Sequence, residues 1–127
     1  QLRQFFGDNQ TIEKEAISDL DKGFVSRFKS LVEERMKDAE LNVEDLGRNM
    51  GMSRVQLYRK LKSLTNYSPN ELLRQMRLKK AASLLAASDM TVAEIAYEVG
   101  FSSPSYFTKC YKEQFGESPT EFLKRRG

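Results

Sequence analysis

Apolar residues recur along this chain at three- and four-residue intervals. From Phe24 they fall at Phe24, Phe28, Leu31, Val32 and Met36, the spacing of one helix face. Val43, Leu46 and Met50 continue the pattern. Leu57, Leu61 and Leu64 follow, and then Leu72, Met76, Leu84 and Leu85. No stretch alternates with the period of a strand. The chain is expected to be all-α, with about seven helices.

Part of the pattern is written twice. Around Gly51 stand Leu46, Met50, Met52 and Ser53, then Leu57, Arg59, Leu61 and Lys62, then Ser68, Pro69, Glu71, Leu72 and Leu73. Around Gly100 stand Ile95, Val99, Phe101 and Ser102, then Phe107, Lys109, Tyr111 and Lys112, then Ser118, Pro119, Glu121, Phe122 and Leu123. The offset is 49 residues from Gly51 to Gly100 and 50 from Leu57 to Phe107, so the second copy carries one inserted residue. Each copy reads as a helix, a tight turn, a second helix and a capped third helix.

Helix starts and stops support this division. Ser53–Gln56, Ser68–Glu71, Thr91–Glu94 and Ser118–Glu121 each fit a capping box. Pro69, Pro104 and Pro119 suit the first helical position, where proline loses no hydrogen bond. Asn42 starts one helix, and Asp19 or Asp21 is the expected cap of the first. Gly51, Asn66, Gly100 and Gly116 follow helices and tolerate the left-handed cap conformation. The expected layout is a linker or tail over residues 1–20, with an apolar Phe5-Phe6 pair and a turn at Gly7-Asp8-Asn9. A single domain follows over 21–127. Within it the first helix-turn-helix spans 43–64, a linker helix 68–87, the second helix-turn-helix 91–115 and a last helix 118–126. A helix of that linker's length reaches about 30 Å, near the ~34 Å between successive major-groove faces on one side of DNA.

Charge changes this picture more than composition does. The whole chain carries only +3. Residues 51–87, however, hold eight basic residues against one acidic, while 1–50 and 88–127 are net −3 and −1. A basic cluster of this kind attracts a polyanion, although a solvated helix face has the same composition. On the helix after Ser53, Leu57, Leu61 and Leu64 face inward. Val55, Arg59 and Lys62 face outward, flanked by Gln56 and Tyr58, and no acid lies among them. Arginine and glutamine make bidentate contacts to guanine and adenine edges in the major groove. On the corresponding helix of the second copy, Phe107 and Tyr111 face inward. Ser105, Lys109 and Lys112 face outward, flanked by Tyr106 and Thr108. The Ser103-Pro104 start there presents backbone N–H groups suited to a phosphate. The linker helix adds Arg74, Arg77, Lys79 and Lys80, some of which belong to an ordinary solvated face.

Nothing in the sequence points to catalysis. Without histidine the commonest general base and a frequent metal ligand are missing. Cys110 follows the inward-facing Phe107 by three residues and reads as a buried, inert thiol. There is no glycine-rich phosphate loop. A single cysteine forms no internal disulfide and suits a reducing compartment. No apolar run approaches membrane-span length and no signal peptide is visible. The expectations are no enzyme activity, no cofactor, no metal and a cytoplasmic location.

The second copy, Val92-Ala-Glu-Ile-Ala-Tyr-Glu-Val-Gly-Phe-Ser-Ser, then Tyr106-Phe-Thr-Lys and Phe115-Gly-Glu-Ser-Pro, resembles the DNA-binding region of AraC-type transcriptional regulators. The resemblance runs from about Asp21 to Arg126. It implies two helix-turn-helix lobes joined by a long helix, with the second helix of each lobe in a major groove. It places Val55, Tyr58 and Arg59 on bases in the first lobe, and Pro104, Ser105, Tyr106 and Lys109 near bases in the second. With their neighbours Arg54, Gln56, Lys62, Ser103 and Lys112, these form the candidate DNA-binding set. Lys109 stands where an arginine is also common, and Asn66 replaces a frequent glycine.

More narrowly, Gly51 to Lys62 and Gly100 to Cys110 are similar to the C-terminal output domain of hybrid two-component regulators, which fuse a sensor histidine kinase and a receiver to this reader. That resemblance implies a longer parent with kinase activity, anchored in a membrane or not, and residues 1–20 as the linker after a receiver. It also implies a monomeric fragment that dimerises through upstream domains. Double-stranded DNA is the expected partner, and RNA polymerase a further candidate. The competing reading is a helical protein-interaction module whose basic face meets an acidic partner.

Overall fold

The computed structural model describes residues 19–126. Among them lie seven helices and no strand: α1 (Asp19–Arg35), α2 (Val43–Asn49), α3 (Arg54–Thr65), α4 (Pro69–Ala87), α5 (Val92–Glu98), α6 (Pro104–Phe115) and α7 (Pro119–Arg126). Residues 1–18, with the expected Phe5-Phe6 pair and the turn at Gly7-Asp8-Asn9, lie outside the described residues. Among the described residues α1 already includes Asp19 and Leu20. Asp19 and Asp21 are not caps but members of its first turn, where carboxylates favourably meet the positive end of the helix dipole.

Helix starts follow the local sequence. All four capping boxes form. The backbone N–H groups of Ser53, Ser68, Thr91 and Ser118 donate to Gln56, Glu71, Glu94 and Glu121 at 2.8–2.9 Å, and each Ser or Thr oxygen accepts in return. Asn42 accepts from the Asp45 N–H at 2.9 Å. Asn66 (φ 69°) and Gly116 (φ 84°) end α3 and α6 in the left-handed conformation.

The helices form two compact units. The first takes Asn42–Leu72 together with the described chain up to Glu33. Its buried apolar residues include Val25, Phe28, Val32, Leu46, Leu57, Leu61 and Leu72, and each large side chain so buried contributes roughly 1.5–3 kcal/mol. The expected inward place of Leu64 is corrected, since it is only half-buried, as are Phe24 and Leu31 of α1. Val25 takes the inward place on α1, and the Phe24 ring instead lies under the Lys60 ammonium, 5.0 Å from its centroid. Beyond Leu61, Thr65 is buried in place of Leu64. Its hydroxyl donates to the Leu61 carbonyl at 2.8 Å and accepts from the Tyr67 N–H at 3.1 Å, so its burial leaves no polar group unpaired.

The second unit takes Glu34–Leu41 and the chain from Leu73 on. Its core joins Leu78, Ala81 and Leu85 of α4 to Ile95, Ala96, Val99, Phe101, Phe107, Cys110 and Tyr111. Phe101 meets Phe107 edge-on at 5.2 Å, and Phe107 meets Tyr111 at 5.8 Å. Leu84 of α4 packs on this core partly buried.

Candidate nucleic-acid interface

The two turns that aim α3 and α6 are built alike. After α2, the Met52 N–H donates to the Gly47 carbonyl at 2.8 Å, and after α5 the Phe101 N–H donates to the Ala96 carbonyl at 2.9 Å. Gly51 (φ 70°) and Gly100 (φ 99°) carry the reversal in a conformation that glycine alone adopts readily. Gly47 was not singled out by the sequence pattern. A Cβ there would lie 2.7 Å from the Met52 carbonyl oxygen, so the first turn requires glycine, whereas the second accommodates the buried methyl of Ala96.

The turn delivers α3 with Leu57 and Leu61 inward. Arg54, Val55, Gln56, Tyr58, Arg59 and Lys62 are all exposed. Val55 and Tyr58 are 55% and 45% exposed and stand among these cations. Gln56 is partly engaged, because its Oε1 accepts the Ser53 N–H and its amide Nε2 is what it offers outward. In the second unit α6 turns Phe107, Cys110 and Tyr111 inward. Ser105, Tyr106, Lys109 and Lys112 are exposed, and Ser103 and Pro104 half-exposed. Ser103 acts as the helix cap, accepting from the Tyr106 N–H at 3.2 Å. The twelve residues thus form two groups, one on each unit, and each group lies on the outer face and head of a single helix.

The electrostatics of the two groups differ. No acid lies in the first turn of either helix. In the second unit, though, Lys112 and Lys124 flank Glu121 and, with the Ser118 N–H that it accepts foremost, hold its carboxyl below the usual range. The Tyr106 phenol is held above its ordinary range, chiefly by its hydrogen bond to the Cys110 thiol and against the opposing pull of Arg74. Two cations of the basic segment turn inward. Lys60 reaches Asp21 at 3.5 Å as well as covering Phe24. Arg77 donates through Nε to the Met36 carbonyl at 3.2 Å and through Nη2 to the Asp38 carbonyl at 2.8 Å. Arg77, counted from the sequence among the charges that the linker helix adds, is thus committed to backbone carbonyls. Its spacing carried the signal, since it lies four residues after buried Leu73 and four before buried Ala81.

A family model described as a helix-turn-helix domain matches residues 46–125, the span of both turns and both exposed helices. The chain belongs to the AraC-type helix-turn-helix family. It is similar to histidine kinase P4 of Formosa agariphila, 37% identical over 109 residues that make up 86% of this chain and 8% of the kinase. The fold is similar to the C-terminal domain of AraT, a response regulator from Geobacillus stearothermophilus (TM-score 0.76, 27% identity, 86% of this chain and 87% of that one). It is also similar to the DNA-binding domain of the transcriptional factor AdpA in complex with a target DNA (TM-score 0.74, 30% identity, 79% and 89%). The chain spans 8% and 37% of the lengths of the first two curated relatives it matches, the kinase and the Msm operon regulatory protein of Streptococcus mutans.

Among the described residues no helix is long and apolar enough to cross a membrane, and no cluster of three metal-ligating side chains occurs.

Proposed function

We propose that this chain binds double-stranded DNA at specific sequences, with α3 and α6 each lying in a major groove. The observation that carries this reading is the outer face of α3. It combines Arg54, Arg59 and Lys62 with exposed Val55 and Tyr58 and has no acid in its first turn. A phosphate-binding surface needs only the charges. A surface that reads bases also needs a planar fork for guanine and apolar groups for the thymine methyl. Arg59 supplies the fork, and Val55 and Tyr58 the apolar contact. Arg54 and Lys62 suit phosphates. On α6, Pro104, Ser105, Tyr106 and Lys109 lie near the bases, while Ser103 and Lys112 approach the backbone.

The chain acts as the DNA-reading end of a longer two-component signalling protein. This rests on its likeness to a histidine kinase of which it covers 8% and to the C-terminal domain of a response regulator. The parent would carry the kinase chemistry, and this segment none. Alone the chain is a monomer that works in the cytoplasm. Pairing through upstream parts makes the second binding event intramolecular and raises avidity about 10²–10⁴-fold where the geometry fits. RNA polymerase is a further partner at the promoter. Selection of bound sites from random duplex tests the reading. A recurring two-part motif supports it, and random sequences with no enrichment refute it.

A further inference from the structure

Gly51 and Gly100 occupy the same place in the two copies but not the same surroundings. A Cβ on Gly51 would meet nothing within 4 Å. A Cβ on Gly100 would lie 2.0 Å from the Met36 carbonyl oxygen and 2.7 Å from Arg77 Nε. The guanidinium, the carbonyl at the end of α1 and the turn before α6 are thus stacked in contact. Arg77 holds Met36 and Asp38 by two hydrogen bonds. The Lys37 ammonium reaches Glu98, two residues before Gly100, at 3.1 Å. Residues 36–38 are tied to the second turn from both sides. The first turn has its own tie to α1, from Arg27 Nη2 to the Asn49 carbonyl at 2.8 Å, but no carbonyl or guanidinium closes on Gly51. Desolvation holds the Arg77 pKa below its ordinary value, with Asp38 opposing, as expected of a cation committed to interior acceptors.

We propose that Arg77 is a positioning residue for DNA reading: it clamps residues 36–38 against the turn at Gly100 and so sets the aim of α6, without touching the phosphate backbone. The proposal rests on the DNA reading given above. A guanidinium is suited to the task because its rigid planar fork presents N–H donors to two carbonyls at a fixed spacing. By position in the basic segment Arg77 would count among the phosphate contacts. By geometry its donors face the protein.

The test uses the whole chain with Arg77→Gln and Arg77→Lys. Hydrogen exchange on the free proteins should show faster exchange of the Gly100 and Phe101 amides in both variants, while the Gly51 and Met52 amides are unchanged. In DNA titrations, both variants should bind the selected site about tenfold more weakly, at the low end for one lost base contact. Base changes in the half-site read by α6 should lose their penalty, and those read by α3 should keep theirs. The slope of affinity against salt should stay the same. A slope reduced by about one unit in Arg77→Gln, or Arg77→Lys behaving as the unsubstituted chain, would overturn the proposal. So would equal loss of discrimination in both halves with faster exchange at both turns, the result of a merely loosened fold. A chain that selects no site at all would sink the DNA reading itself, whatever the exchange contrast between the two turns.

Discussion

Alanine at Gly100 should cost roughly 1–3 kcal/mol more than alanine at Gly51. Both positions have positive φ, 70° and 99°. An L-residue there loses roughly 1–2 kcal/mol to the left-handed conformation, and the reduced freedom of the unfolded chain returns about 0.4–1 kcal/mol. Gly51→Ala meets open space, so its net cost is about 1 kcal/mol. Gly100→Ala pushes its methyl against a backbone carbonyl 2.0 Å away, and a backbone atom does not move aside as a flexible side chain does. Overpacking of that kind adds roughly 1–3 kcal/mol. Urea unfolding of the three proteins measures the difference as a shift in midpoint at constant slope. Equal midpoints for the two variants would refute the inference that the second turn is enclosed and the first open.

Removing a cap should cost a predictable increment: Thr91→Ala is expected to destabilise by about 1 kcal/mol, read from the same urea titration, and no change would mean the box at α5 adds nothing. Neutralising Lys62 or Lys80 should flatten the salt slope of DNA binding by about one unit for each lost phosphate contact, with smaller changes at Lys109 and Lys112; the reverse order would exchange the roles of the two units. Glu117 is held below the usual carboxylate range, first by its hydrogen bond from Arg125. Its contribution to stability is therefore present above its unfolded pKa of ~4.3 and lost as pH falls through the folded value. Glu117→Gln should remove part of the acid limb of stability against pH, and an unaltered limb would show that the exposed pair is fully screened.

Features set by three or four adjacent residues were legible in the sequence. The four capping boxes, the proline starts and the left-handed stops at Asn66 and Gly116 lie where their residue types place them, because each satisfies backbone groups of its own helix. The outward face of α3 was legible too, since Leu57 and Leu61 fix its rotation. The rest depends on what approaches from elsewhere. Val25 rather than Phe24 fills the core, and the Phe24 ring meets Lys60 from far along the chain. Thr65 is buried because its hydroxyl pairs with Leu61 and Tyr67. Gly47 is required by a carbonyl five residues on, in a turn whose sharpness the apolar pattern does not encode. Arg77 was readable as inward from its spacing to Leu73 and Ala81. Its two acceptors, about forty residues upstream, were not.

The most direct measurement of DNA reading by α3 is the binding of Arg59→Ala, compared with the unsubstituted chain, to a selected duplex and to a scrambled duplex of equal length at fixed salt. Arg59 is exposed on the acid-free face of α3. The expected result is a loss of roughly 1–3 kcal/mol on the selected duplex, relaxed preference at one base pair and little change on the scrambled one. Equal losses on both duplexes would make Arg59 a phosphate contact and contradict sequence reading by this helix.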